Sequence, residues 1–167
     1  YANTVATIDF AKQFKGHGWV GIRYQIEPEE DYNEIIIHIR FKETDSRLQQ
    51  ETLGILGVNL IYGAFYKYND PKKLLRYLYD HLDKDQLEID TINFSGPRFA
   101  DVDNRLMSLQ LVKNGMTDAV MFNPEGKNIL PAAILYKKNI LAFRGSFRPV
   151  TKVNMDMYEK SLKMFLN

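Results

Sequence analysis

The stretch from Leu87 to Leu106 restricts the fold of this chain more than any other. Leu87–Phe94 has the length and the apolar, β-branched and aromatic content of a strand. Ser95-Gly96-Pro97-Arg98 reads as a tight turn, and a helical apolar spacing follows it. That helix is expected from about Asp101 to Asn114, with Val102, Leu106, Leu109 and Val112 inward and Gly115 as its stop. Asp118–Phe122 is short and almost wholly apolar, as a strand covered on both faces would be. Asn123-Pro124-Glu125-Gly126 is a turn, Pro131–Tyr136 a brief helix and Asn139–Phe143 a further buried strand. The loop Arg144–Pro149 leads to a last helix, from about Asn154, expected to bury Met155, Tyr158, Leu162 and Phe165. Strands and helices that alternate in this way imply an α/β fold with a parallel portion of sheet.

Upstream, residues 4–14 have the spacing of a short helix with Val5, Ile8 and Phe14 inward, and Gly16-His17-Gly18 is a turn. Two alternating runs follow, Trp19–Ile26 and Glu34–Phe41. Val20, Ile22, Tyr24 and Ile26 share one face of the first, and Ile35, Ile37, Ile39 and Phe41 one face of the second. Their short acidic connection, Glu27 to Asn33, predicts an antiparallel hairpin. Arg23, Gln25, His38 and Arg40 then form its second face, which reads as solvated polar surface.

A long helix is expected from Ser46 to Tyr66, with Ser46 and Gln49 spaced as a capping box. Leu53, Leu56, Leu60, Ile61, Ala64 and Phe65 recur at helical spacing. Gly54, Gly57 and Gly63 each cost this helix about 1 kcal/mol relative to Ala, which points to a close neighbour or a subunit interface. Asp70-Pro71 starts another helix, with Leu74, Leu75, Leu78 and Leu82 as its buried stripe. The expected whole is a single three-layer α/β domain over residues 1–167. Its mixed sheet would have a parallel, Rossmann-like β-α-β-β-α portion and an N-terminal antiparallel hairpin.

Composition narrows the function classes. A net charge of +1 argues against a nucleic-acid partner, and the lack of any Cys excludes a disulfide scaffold, a thiolate zinc site and a cysteine nucleophile. The absence of a long apolar run argues against a membrane span, no signal peptide is visible, and a cytoplasmic location is expected. The chain opens on Tyr1 with no initiator Met, so a piece of a longer chain is expected. His17, His38 and His81 are scattered, with no zinc-type spacing. Neither a dinucleotide fingerprint nor a phosphate-binding P-loop occurs, and there is no nucleophile elbow.

The sharpest candidate site follows from the expected parallel strands. Their loops would meet at one rim and bring together Ser95, Gly96, Arg98, Asp101, Lys127, Arg144, Gly145, Ser146 and Arg148. Arg98, Arg144 and Arg148 would clamp an anion, Ser95, Gly96 and Ser146 would donate hydrogen bonds, and the helix beginning near Asp101 would add its positive end. Asp101 and Asp103 spell a D-x-D that would hold Mg²⁺ or a sugar hydroxyl. A plainer reading makes Ser95-Gly96-Pro97 turn chemistry, the arginines salt-bridge partners of Asp101 or Asp103, and the acidic pair a helix cap.

Leu56–Phe65, Ser95–Leu111 and Arg144–Thr151 resemble the central region of a family of larger, poorly characterised bacterial cytosolic proteins, and the likeness runs through most of the chain. The resemblance implies further domains outside this stretch and carries no catalytic residue with it. The expected function is a ligand-binding α/β domain for a phosphorylated metabolite or nucleotide, within an enzyme or beside one. The alternative is an assembly module in which helix 46–66 and the hairpin make subunit contacts in a homo-oligomer.

Overall fold

Four strands lie side by side in chain order, each antiparallel to the next: β1 (Ala2–Ala6), β2 (His17–Tyr24), β3 (Asn33–Phe41) and β4 (Leu87–Ser95). The computed structural model describes residues 1–9, 11 and 15–166. Val20, Ile22 and Tyr24 of β2 and Ile35, Ile37, Ile39 and Phe41 of β3 are buried together, as their alternation predicts. Ile35, Ile37, Ile39 and Phe41 stand opposite Phe94, Ile92, Ile89 and Leu87 of β4. Each such buried side chain contributes roughly 1.5–3 kcal/mol.

The buried positions of β4 change phase between Ile89 and Ile92, and a bulge accommodates the change. Thr91 pairs with His38 and Ile89 with Ile39, which leaves Asp90 as the extra residue.

Two helices link β3 to β4: α1 (Ser46–Tyr66) and α2 (Pro71–Tyr77). Leu56, Leu60, Ala64, Leu74, Leu75 and Leu78 join the strands in one core, with Leu82 beside them. Asp45, not Ser46, caps α1 by accepting from the Leu48 amide at 3.0 Å. Gln49 is buried instead, donating to the Glu43 carbonyl at 2.8 Å and accepting from the Ile8 amide at 2.6 Å. Asp70 caps α2 through the Lys73 amide, as the Asp-Pro start predicts.

After β4 come a short 3₁₀ turn, Pro97–Phe99, and α3 (Asn104–Lys113). Its buried residues are Met107, Ser108 and Leu111, whereas Leu106 and Leu109 are exposed, so the helix is rotated from the expected Val102/Leu106/Leu109/Val112 stripe. It runs against β4 and helps close that strand's outer edge. The Asn104 side chain exchanges both hydrogen bonds with the Phe94 backbone, at 2.8 and 2.9 Å. Asn128 donates to the Ile92 carbonyl, the Ile89 amide donates to the Met116 carbonyl, and the Tyr79 hydroxyl donates to the Leu87 carbonyl. Side chains and a turn thus stand where another strand would pair, which is how an edge is protected.

This overturns the expected α/β, Rossmann-like, mixed sheet. The described strands pair only antiparallel, and the architecture is antiparallel α+β. Residues 118–122 contribute only β5 (Met121–Phe122), half-buried and paired with β6 (Asn128–Ile129) in a separate two-stranded sheet. No strand forms at 139–143. Apolar runs report burial but do not name the partner, so they could not distinguish a central parallel strand from an edge strand. The expected helix at 4–14 is also corrected: Ala2–Ala6 is a strand beside β2, and Phe14 lies outside the described residues.

The chain divides into two compact units, Tyr1–Pro131 and Ala132–Asn167. A short helix, α4 (Pro131–Leu135), begins at the division, and the second unit contains α5 (Lys152–Leu166). No residue of α5 is buried: Met155, Tyr158 and Phe165 are exposed and Leu162 is half-buried, against expectation. Among the described residues, no helix is long and apolar enough to cross a membrane.

Candidate functional site

The rim expected from parallel strands has no such strands to build it. Ser95, Gly96, Arg98 and Asp101 belong to the first unit, whereas Arg144, Gly145, Ser146 and Arg148 lie in an exposed irregular segment of the second. Gly96 has φ +104°, and a Cβ there would meet the Tyr32 carbonyl oxygen at 2.5 Å, so the turn requires glycine. The Arg98 amide donates to Asn33 Oδ1 at 2.8 Å, and its guanidinium donates to Glu30 at 2.9 and 3.3 Å. Its charge is therefore engaged within the fold.

Asp101 is exposed in the turn before α3. Asp103 caps α3 through the Arg105 amide and pairs with the Arg105 guanidinium at 2.9 Å, which holds its carboxyl below the ordinary value. The Lys127 amide donates to Asn123 Oδ1 within the β5–β6 turn. Among the described residues, no group of three or more His, Cys, Asp or Glu gathers as a metal site.

A different cluster stands on the sheet face opposite the core. Trp19 pairs across the hairpin with His38, and His17 with Arg40, which puts both histidines on this face as diagonal neighbours. The bulge at Asp90 turns its carboxylate toward His38, and Nδ1 lies 2.8 Å from Oδ1. His38 and Asp90 are 2% and 7% exposed, so this is a buried pair on a face otherwise lined by Arg23, Arg40 and Trp19. Nδ1 of His38 is the ring nitrogen engaged with the Asp90 carboxylate, and Nε2 is the one turned toward His17. That atom lies 3.4 Å from His17 Nδ1, and the Trp19 ring meets His38 edge-on at 4.9 Å between centroids.

Partial burial is the largest cause holding the His17 imidazole below its ordinary value; repulsion from His38 and Arg40 adds to it and Asp90 opposes it. Beside the cluster, the Thr117 hydroxyl donates to Glu88 at 2.6 Å, and Arg40 lies 4.0 Å from the same carboxylate. The solvated reading of this face fits Arg23, which pairs with Glu34 at 2.8 Å, but not His38. Parity along the two hairpin strands was the available signal for bringing His17 to His38. Asp90 had none, because a bulge breaks parity.

The outward side of α1 is the other unusual surface. No charged residue occurs between Glu51 and Lys67, and Ile55, Val58, Ile61, Tyr62, Phe65 and Tyr66 are exposed there. Two of its glycines have neighbours within the unit. A Cβ on Gly57 would meet the Tyr1 hydroxyl at 2.8 Å, and one on Gly63 would meet Leu74 Cγ at 3.2 Å. At Gly54 nothing lies within 4 Å.

No protein-family model, curated protein or solved structure matches the chain.

Proposed function

We propose that the first unit is an assembly module that packs the outward face of α1 against the same face of a second copy. The observation that carries this reading is that α1 carries no charge from Thr52 to Tyr66, although Ile55, Val58, Ile61, Tyr62, Phe65 and Tyr66 are exposed there. Such a helix belongs inside a protein or an interface, because an isolated surface helix keeps a charged face. Gly54 supports it further. A helical glycine costs about 1 kcal/mol relative to Ala, and here no contact within the unit accounts for it. A bare backbone lets a second helix approach closely, and an uncharged stripe suits its own copy because no charge demands a complement.

The test is light scattering of the full chain across a concentration series, beside Val58→Glu. Val58 is 66% exposed, so a charge there leaves the packed core alone. The wild type should form dimers that the variant loses while keeping its unfolding midpoint at low concentration. A wild type that stays monomeric at high concentration, or a variant that dimerises equally well, overturns the reading.

A further inference from the structure

We propose that His17 and His38 form a binding site for a late first-row divalent cation, Zn²⁺ or Cu²⁺, with Asp90 as the carboxylate that orients the buried ligand. His17 Nδ1 and His38 Nε2 lie 3.4 Å apart. At that separation one ring nitrogen can donate to the other, and the same spacing also suits a shared ion. Two imidazole nitrogens bound at about 2.0–2.1 Å to one tetrahedral ion stand about 3.3 Å apart, so the gap is the width of a metal bite. Imidazole is a preferred ligand of these ions.

The surroundings match what such a ligand needs. A metal-binding histidine donates its other ring N–H to a carboxylate, which fixes its tautomer and raises its basicity. His38 has that partner in Asp90 at 2.8 Å, supplied by the bulge. The strand pairing holds the two rings from opposite sides, one on β2 and one on β3. His38 is buried and His17 exposed, so the pair spans the boundary between the interior and the surface.

Trp19 reports on this site directly. It is the chain's single Trp and its ring stands 4.9 Å from His38. Cu²⁺ alone, titrated into the full chain, should quench its fluorescence saturably with one-to-one stoichiometry, and Zn²⁺ in large excess should reduce the quenching by competition. His17→Ala, at an exposed strand position, should weaken binding by about tenfold or more, and Asp90→Asn, which leaves both ligands in place, by about 10- to 100-fold. His81→Ala should bind as the wild type does. Thermal unfolding of each variant shows whether it is folded, so weaker binding by a folded His17→Ala protein supports the site. Quenching that rises linearly without saturation, or saturable quenching unchanged in His17→Ala, overturns the proposal.

Discussion

Replacing Asn104 with Ala should open the outer edge of β4, and its cost can be worked from the structure. The Asn104 side chain accepts from the Phe94 amide at 2.8 Å and donates to the Phe94 carbonyl at 2.9 Å, completing a two-bond ring of the kind a paired strand would make. A net hydrogen bond contributes about 1 kcal/mol, so removing both costs about 2 kcal/mol. Asn104 is the first residue of α3 and only half-buried. Ala offsets at most about 0.7 kcal/mol through its better helix propensity, and water reaches part of the exposed backbone. The expected loss is therefore about 1.5 kcal/mol, or about 5 °C in Tm for a unit of this size.

Asn104→Asp separates the two bonds. It keeps the acceptor for the Phe94 amide but sets a carboxylate oxygen against the Phe94 carbonyl, so it should cost at least as much as Ala. Urea unfolding followed by circular dichroism, with the slope m unchanged, gives the free energy, and hydrogen exchange gives the local effect at the Phe94 amide. A loss below about 0.5 kcal/mol, the scatter of ordinary surface changes, with Phe94 exchange unaltered would refute the idea that this side chain closes the edge.

Three further outcomes follow from single contacts. Asp90→Ala strips the buried His38 ring of its acceptor and should cost about 2–3 kcal/mol by denaturant unfolding, whereas Asp90→Asn, which keeps an oxygen acceptor, should cost about half as much. Gly54→Ala should raise the stability of the dilute monomer by about 0.5–1 kcal/mol, because no atom lies within 4 Å of the new methyl, while Gly63→Ala, facing Leu74 Cγ at 3.2 Å, should gain less. The helix caps should give an acid-side pH dependence. The Lys73 amide lowers the Asp70 carboxyl, and the Arg105 side chain and amide lower that of Asp103, both from an ordinary 3.8. Because the folded values are depressed, the stability these groups add is present above 3.8 and is lost as pH falls through the folded values. Asp70→Asn with Asp103→Asn should therefore flatten the fall of Tm with acid, and an unchanged slope would count against the charge contribution of the caps.

The local elements were legible in the sequence because their signals are local. Alternation placed Val20, Ile22, Ile35 and Ile37 on one face, and Asp70-Pro71 gave the start of α2, which ends at Tyr77 although the leucine stripe was expected to run on through Leu82. The bounds of α1 and the strand Leu87–Phe94 were equally plain, apart from one residue at the end of β4. The glycines of α1 announced close contact, and the structure supplies neighbours for Gly57 and Gly63.

Tertiary structure decided which edges met. A strand's composition reports burial, and β4 is buried whether its second neighbour is a parallel strand or the amide of Asn104. The assumption of a parallel neighbour produced both the α/β reading and the anion rim, and the antiparallel pairing overturns the α/β reading. The cluster of His17, His38 and Asp90 required a hairpin register, at which parity hints, and a bulge, which leaves no pattern in a single chain. Periodicity fixes where a side chain points on its own element. The choice of what it points at depends on pairing energies summed over the whole fold, and only the folded chain expresses them.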